Sequence, residues 1–121
     1  MKQNVMEDLF KLARARDEFP ANANVVAAIA RGSKIYSYGF NSYKTHPLQK
    51  RFAKNSLSIH LHAEIAAIKN YLRDNSSDSL KDKDLYVLRI LKNGSLASAK
   101  PCEGCARAII EFGFKNVFFT L

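Results

Sequence analysis

The chain has two cysteines, Cys102 and Cys105, set three apart in the run Pro101-Cys102-Glu103-Gly104-Cys105. On a first helical turn residues at that spacing share a side, so the two sulfurs can grip one ion. In a reducing compartment such a pair is more often a metal or redox site than a structural disulfide. Pro101 suits a helix start, because its fixed φ fits a position whose N–H has no helical partner. The positive end of that helix favours thiolate, the ligand form of cysteine. A second pair, in His62-Ala63-Glu64, would diverge on the flank of a helix, but both side chains can reach beyond a helix entrance. Zinc held between two helix N-termini would take His62, Cys102 and Cys105 as ligands. Three ligands of N and S type leave the fourth tetrahedral position to water, which is how catalytic zinc differs from closed structural zinc. Zinc lowers the pKa of such a water to about 7, and Glu64 stands where it can take the proton. His60 or His46 as a fourth ligand would close the site instead.

Helices and strands must bring these pairs together. Val5, Leu9, Leu12 and Ala13 recur at helical spacing, and the pattern stops before Asp17. Val25–Ala30 is continuously apolar, as in a strand buried on both faces, and Arg31-Gly32-Ser33-Lys34 turns it into Ile35–Phe40 as a hairpin. Residues 41–61 are polar and broken by Pro47. They carry the basic cluster Lys44, Lys50, Arg51 and Lys54 and read as an irregular functional or oligomer-facing loop. Ile65, Ile68 and Leu72 mark one face of a second helix, which the run from Asn75 to Ser79 ends. Leu85–Ile90 has strand composition, and Asn93-Gly94 predicts that the segment to Lys100 folds back as a short strand or tight loop. Cys105, Ile109 and Phe112 give a third helix with Gly113 at its end, and Val117–Leu121 a last strand. The order α-β-β-α-β-α-β predicts an α/β fold, an α/β/α sandwich around a mixed sheet of four to five strands.

A chain of 121 residues suits a single domain spanning residues 1–121. With 47% hydrophobic and 25% charged residues its composition is that of an ordinary globular protein, not a disordered or membrane one. Glu7 and Asp8 fall where a secretory signal needs an unbroken apolar stretch, so a cytoplasmic protein with no membrane partner is expected. The net charge of +8 is a bias toward anionic partners such as nucleotides or nucleic acid.

His-x-Glu followed by Pro-Cys-x-x-Cys is the zinc deaminase signature, and on it the sequence resembles the cytidine and deoxycytidylate deaminase superfamily. The pieces HAEIAAI and PCEGCARAII extend the likeness beyond the ligands, and Gly39-Phe40-Asn41 is similar to the Gly-x-Asn that ends the second strand in many members. The resemblance implies a cytidine-deaminase-like fold, Zn2+ on His62, Cys102 and Cys105, Glu64 as proton shuttle, Asn41 as a substrate contact and a backbone N–H contributed by Ala63. It implies that Glu64 deprotonates zinc-bound water, that the hydroxide attacks the amino-bearing ring carbon, and that the tetrahedral intermediate releases ammonia. The substrate so implied is a free cytosine nucleoside or nucleotide, with Lys44, Lys50, Arg51 and Lys54 available to a phosphate. The charge also admits a deaminase of single-stranded DNA or RNA. A non-catalytic zinc module is a third alternative, one that would not need Glu64. Ala67 stands where deoxycytidylate deaminases commonly carry Asn, a departure from that subfamily. Family members commonly continue past a strand like the one ending at Leu121. Phe118-Phe119 is therefore expected to be covered by another subunit in a homo-oligomer.

Overall fold

Alternating side chains in two neighbouring strands decide the layering. In the computed structural model, which describes residues 4–16, 23–45 and 60–121, β1 (Ala23–Arg31) sends Ala27 and Ile29 to one side and Val26, Ala28 and Ala30 to the other. All five are fully buried, as an unbroken apolar run requires. β5 (Asp84–Leu91) pairs antiparallel with β1 and repeats the pattern, with Leu85 and Val87 on one face and Leu88 and Ile90 on the other. β2 (Lys34–Phe40) lies antiparallel on the far side of β1. Along the opposite side of β5 two short strands share the space end to end. β7 (Asn116–Phe119) runs parallel to Asp84–Val87, and β6 (Leu96–Ala97) returns antiparallel to Arg89 and Ile90 after the Asn93-Gly94 turn.

α1 (Val5–Arg14) covers one face, burying Val5, Leu9 and Ala13 against Val26, Ala28, Leu88 and Ile90. α2 (Ala63–Leu72) and α3 (Glu103–Phe112) cover the other, packed with Ala27, Ile29, Leu85 and Val87. The result is the expected α/β/α arrangement on a five-stranded mixed sheet. Gly113 ends α3 at φ 74°, a left-handed conformation that glycine adopts without steric penalty.

α2 lies closer to β2 than any side chain on Gly39 would allow. A Cβ at Gly39 would stand 2.5 Å from both the Ala66 Cβ and the Ala67 backbone nitrogen. Two hydrogen bonds fasten the pair: the Ser37 hydroxyl donates to the Ala67 carbonyl at 2.9 Å, and Asn70 Nδ2 donates to the Tyr38 carbonyl at 2.8 Å. Such intimacy explains why α2 is buried around most of its first two turns rather than along the single stripe its sequence suggested.

Some segments differ from the sequence expectation. The stretch after β2 is not wholly irregular: β3 (Ser42–Thr45) pairs antiparallel with β4 (His60–Leu61), a ladder too short to leave a periodic signal. Lys44 lies in β3, whereas His46, Lys50, Arg51 and Lys54 fall outside the described residues. The polar run after α2 forms a 3₁₀ helix, Ser77–Asp82, that buries Leu80 completely. At the end of the chain the two phenylalanines part: Phe119 packs against the core, while Phe118 is 44% exposed and stacks on Tyr86 at a centroid distance of 4.9 Å. Among the described residues no helix is long and apolar enough to cross a membrane.

Candidate active site

His62 is the N-cap of α2 and Cys102 the N-cap of α3, so each stands at the positive end of a helix. The His62 side chain makes no cap hydrogen bond in its own helix. Its Nδ1 faces both sulfurs instead, 3.3 Å from Cys105 Sγ and 3.5 Å from Cys102 Sγ. Cys102 Sγ accepts the Cys105 backbone N–H at 3.5 Å, which folds the first turn so that the sulfurs converge. The three donor atoms lie within 4.8 Å of one another, and one nitrogen with two sulfurs is a set that suits zinc. Pro101 is not the first helical residue: Cys102 takes the cap, and Pro101 sits one residue before it, where its ring still prevents the helix from starting earlier.

The cysteines divide their charge unequally. Hydrogen bonds from Cys105 and then His62 hold the Cys102 thiol far below its ordinary value, at about 3. The Cys105 thiol, fully buried, is driven upward, first by its hydrogen bond with Cys102 and then by desolvation. His62 is raised, chiefly by its hydrogen bond to Cys102. Glu64, the second residue of α2, is only 6% exposed, and burial raises its carboxyl above the usual range. A backbone hydrogen bond at Glu64 itself, then the charge of His62 and a hydrogen bond with Cys105, oppose that rise.

These groups open into a cavity of about 260 Å³. His62, Ala63, Glu64 and Cys102 form its helix side, Val25, Asn41 and Arg89 its sheet side, and the loop Ser98–Lys100 closes it. Thr120 pins that loop: its hydroxyl donates to the Ala97 carbonyl at 2.6 Å and accepts the Arg89 N–H at 3.2 Å, and its carbonyl accepts the Ala99 N–H at 2.8 Å.

Asn41 follows β2, and its carboxamide is held from behind. Oδ1 accepts the Val25 N–H at 3.1 Å and Arg16 Nη1 at 2.8 Å, while Arg16 Nη2 donates to the Asn41 carbonyl at 2.6 Å. Arg16 also donates to Asn24 Oδ1 at 3.1 Å and lies 4.6 Å over the Phe40 ring. With its oxygen engaged by two donors, the Asn41 carboxamide is fixed in one orientation where the residue lines the cavity.

The structure brings His62, Cys102 and Cys105 together as one donor cluster, and His62, Ala63, Glu64, Cys102 and Asn41 line one cavity. Arg16 and Arg89 went unnoticed in the sequence. Arg89 had a legible signal, because the alternation of Leu85 and Val87 carries it onto a core-facing position. Arg16, just beyond α1, had none.

A family model described as the cytidine and deoxycytidylate deaminase zinc-binding region matches residues 1–121. Among solved structures, dCMP deaminase from the cyanophage S-TIM5 in apo form is 21% identical over 98% of this chain and 84% of that one, with a TM-score of 0.61. The same enzyme in complex with dCMP and dUMP gives 18% identity, 98% and 82% coverage and a TM-score of 0.57. The diaminohydroxyphosphoribosylaminopyrimidine deaminase/5-amino-6-(5-phosphoribosylamino)uracil reductase of Thermotoga maritima is 21% identical over 95% of this chain but 28% of its own, with a TM-score of 0.52. No curated protein matches the sequence.

Proposed function

The chain belongs to the cytidine and deoxycytidylate deaminase family of zinc-dependent hydrolases, and on that premise we propose that it releases ammonia from the ring of a free cytosine nucleoside or nucleotide. The observation that carries this is a buried carboxyl, Glu64, beside the His62, Cys102 and Cys105 donor set at the wall of a cavity that Asn41 also lines. Burying a carboxyl is unfavourable. A closed structural zinc site would have no use for it.

His62, Cys102 and Cys105 hold the zinc, which when bound supplies a water acidified to about pKa 7. Glu64 takes a proton from the attacking water and gives it to the ring nitrogen next to the carbon under attack. The proton left on the added oxygen then passes through Glu64 to the amino nitrogen as the C–N bond breaks, leaving the oxo ring and ammonia. A carboxyl raised by burial is suited to both halves of that task, since a proton carrier works best when its pKa lies near the working pH. Ala63, the first residue of α2, lines the cavity, and its backbone N–H, which has no helical partner, donates to the substrate; Asn41, on the opposite wall, is a second substrate contact. The solved cyanophage enzyme holds dCMP and dUMP, and the Thermotoga protein is named for a phosphoribosyl-bearing pyrimidine; both support a substrate of one base with a sugar phosphate.

Incubation of the zinc-loaded protein with cytosine, cytidine, deoxycytidine, their monophosphates, purine analogues, a phosphoribosylaminopyrimidine and single-stranded oligonucleotides, followed by measurement of ammonia, tests the proposal. A free cytosine compound is expected to be turned over. Turnover confined to oligonucleotides, with affinity falling steeply in salt, would replace it with a nucleic-acid deaminase.

A further inference from the structure

Arg89 occupies an unusual place. Its strand alternates Leu85, Val87 and Arg89 on the face that packs under α2 and α3, and the first two are buried in the core. Where the third apolar side chain would fall, the chain places Arg89, which lines the cavity. Its Nε is buried and, among the described residues, has no hydrogen-bond partner. A buried donor left unsatisfied is unfavourable by about 1–3 kcal/mol, and more when it is charged, so a group of this kind has a reason to be kept. Lys100 contributes a second cation to the same cavity from the loop that Thr120 pins. Glu64 is the cavity's one acidic side chain among the described residues, and the groups that act on it are His62, Cys102 and Cys105, so it does not serve as the partner of Arg89.

We infer that Arg89, assisted by Lys100, forms an anion subsite inside the cavity and selects substrates that carry a phosphate group. This rests on the proposed deamination of a cytosine compound and narrows it to the nucleotide. The fork of guanidinium N–H groups matches phosphate oxygens, and the bonds are charge-assisted. Arg89 lines the sheet side of the cavity and Lys100 the closing loop, so the two cations stand on adjoining walls.

The direct probe is the Arg89 Nε–H signal in an ¹H–¹⁵N spectrum of the zinc-loaded protein, assigned by its loss in Arg89→Lys. Ribose 5-phosphate and uridine monophosphate are expected to shift it, and uridine to leave it in place. By calorimetry the monophosphate is expected to bind about tenfold or more tightly than uridine, a preference that falls to within about twofold in Arg89→Met and by several-fold in Lys100→Met. Uridine affinity retained in both variants shows that the cavity is intact. Should Arg89→Met fail to fold, the neutral Arg89→Gln and the exposed Lys100→Met give the same comparison. An Nε–H signal that ignores phosphate compounds, or a monophosphate preference that survives in the neutral Arg89 variants, overturns the inference. Neither outcome depends on turnover, so a protein that binds phosphate at Arg89 yet releases no ammonia from cytosine compounds would refute the proposed reaction and leave the subsite standing.

Discussion

Glu64 and Asn41 make distinct contributions that substitution can separate. Glu64→Gln preserves shape but cannot carry a proton, so turnover is expected to fall by about 10²–10⁴-fold while zinc stays near one per chain by metal analysis. Activity that survives would remove Glu64 from its assigned role. The same substitution has a consequence for stability in the metal-free protein. Burial raises the Glu64 carboxyl, so the folded state disfavours its ionised form. The contribution is fully present below the ordinary carboxyl pKa and is lost as pH rises through the elevated one. Metal-free Glu64→Gln should therefore lose less stability than the parent between acidic and neutral pH in denaturant titrations. At Asn41, replacement by Asp keeps the oxygen that accepts from Arg16 and Val25 but removes the NH₂. Thermal stability should hold while kcat/KM drops by about tenfold, mainly through KM. A fall in stability with unchanged kinetics would make Asn41 a structural residue. The candidate ligand cluster stands out by residue type and spacing because metal chemistry restricts both. Arg16 could not, since its role depends on where the end of α1 meets the residue after β2, a tertiary fact with no local periodicity.

At the scale of elements, the site depends on how deeply α2 sinks onto β2. Gly39 sets that depth, and a methyl group there would meet the Ala66 Cβ and the backbone nitrogen of Ala67, neither of which can swing aside. Gly39→Ala is expected to destabilise the protein by about 1–3 kcal/mol in denaturant titration. It should also weaken zinc binding in a competition assay with a chelator, because His62 and Glu64 ride on the helix that must lift. Unchanged zinc affinity would show that α2 can shift without disturbing its first turn. The main elements were legible from their patterns: β1 from an unbroken apolar run, α3 from its stripe and Gly113, β6 from the Asn93-Gly94 turn. The β3–β4 ladder was hidden because its second strand is two residues long, and the 3₁₀ helix because a single buried Leu80 inside a polar run leaves no period.

For the whole molecule, zinc held by His62 and Cys102 would join two helices whose caps are 40 residues apart in sequence, with all of β5 between them. A ligand bound to the folded state alone adds stability in proportion to the logarithm of its concentration over its dissociation constant. Chelation should thus lower Tm by about 5 °C or more in calorimetry, reversibly on return of zinc. A Tm indifferent to chelation would mean that the ion is not held by both helices.

The two half-strands on one side of β5 give the molecule a lever for diversification. β7 anchors the lower half in the core, while the β5–β6 turn projects residues 92–95 into solvent, and the cavity's closing loop is strung between that turn and Thr120. Exposed turns tolerate insertions, and each doubling of loop length adds only about 0.6 kcal/mol of closure entropy. Lengthening or exchanging this hairpin would reshape one wall of the cavity and leave the metal-bearing helices on their foundation. The segment from Leu91 to Ala97 is accordingly the natural graft point for redirecting the scaffold to other amino-substituted rings.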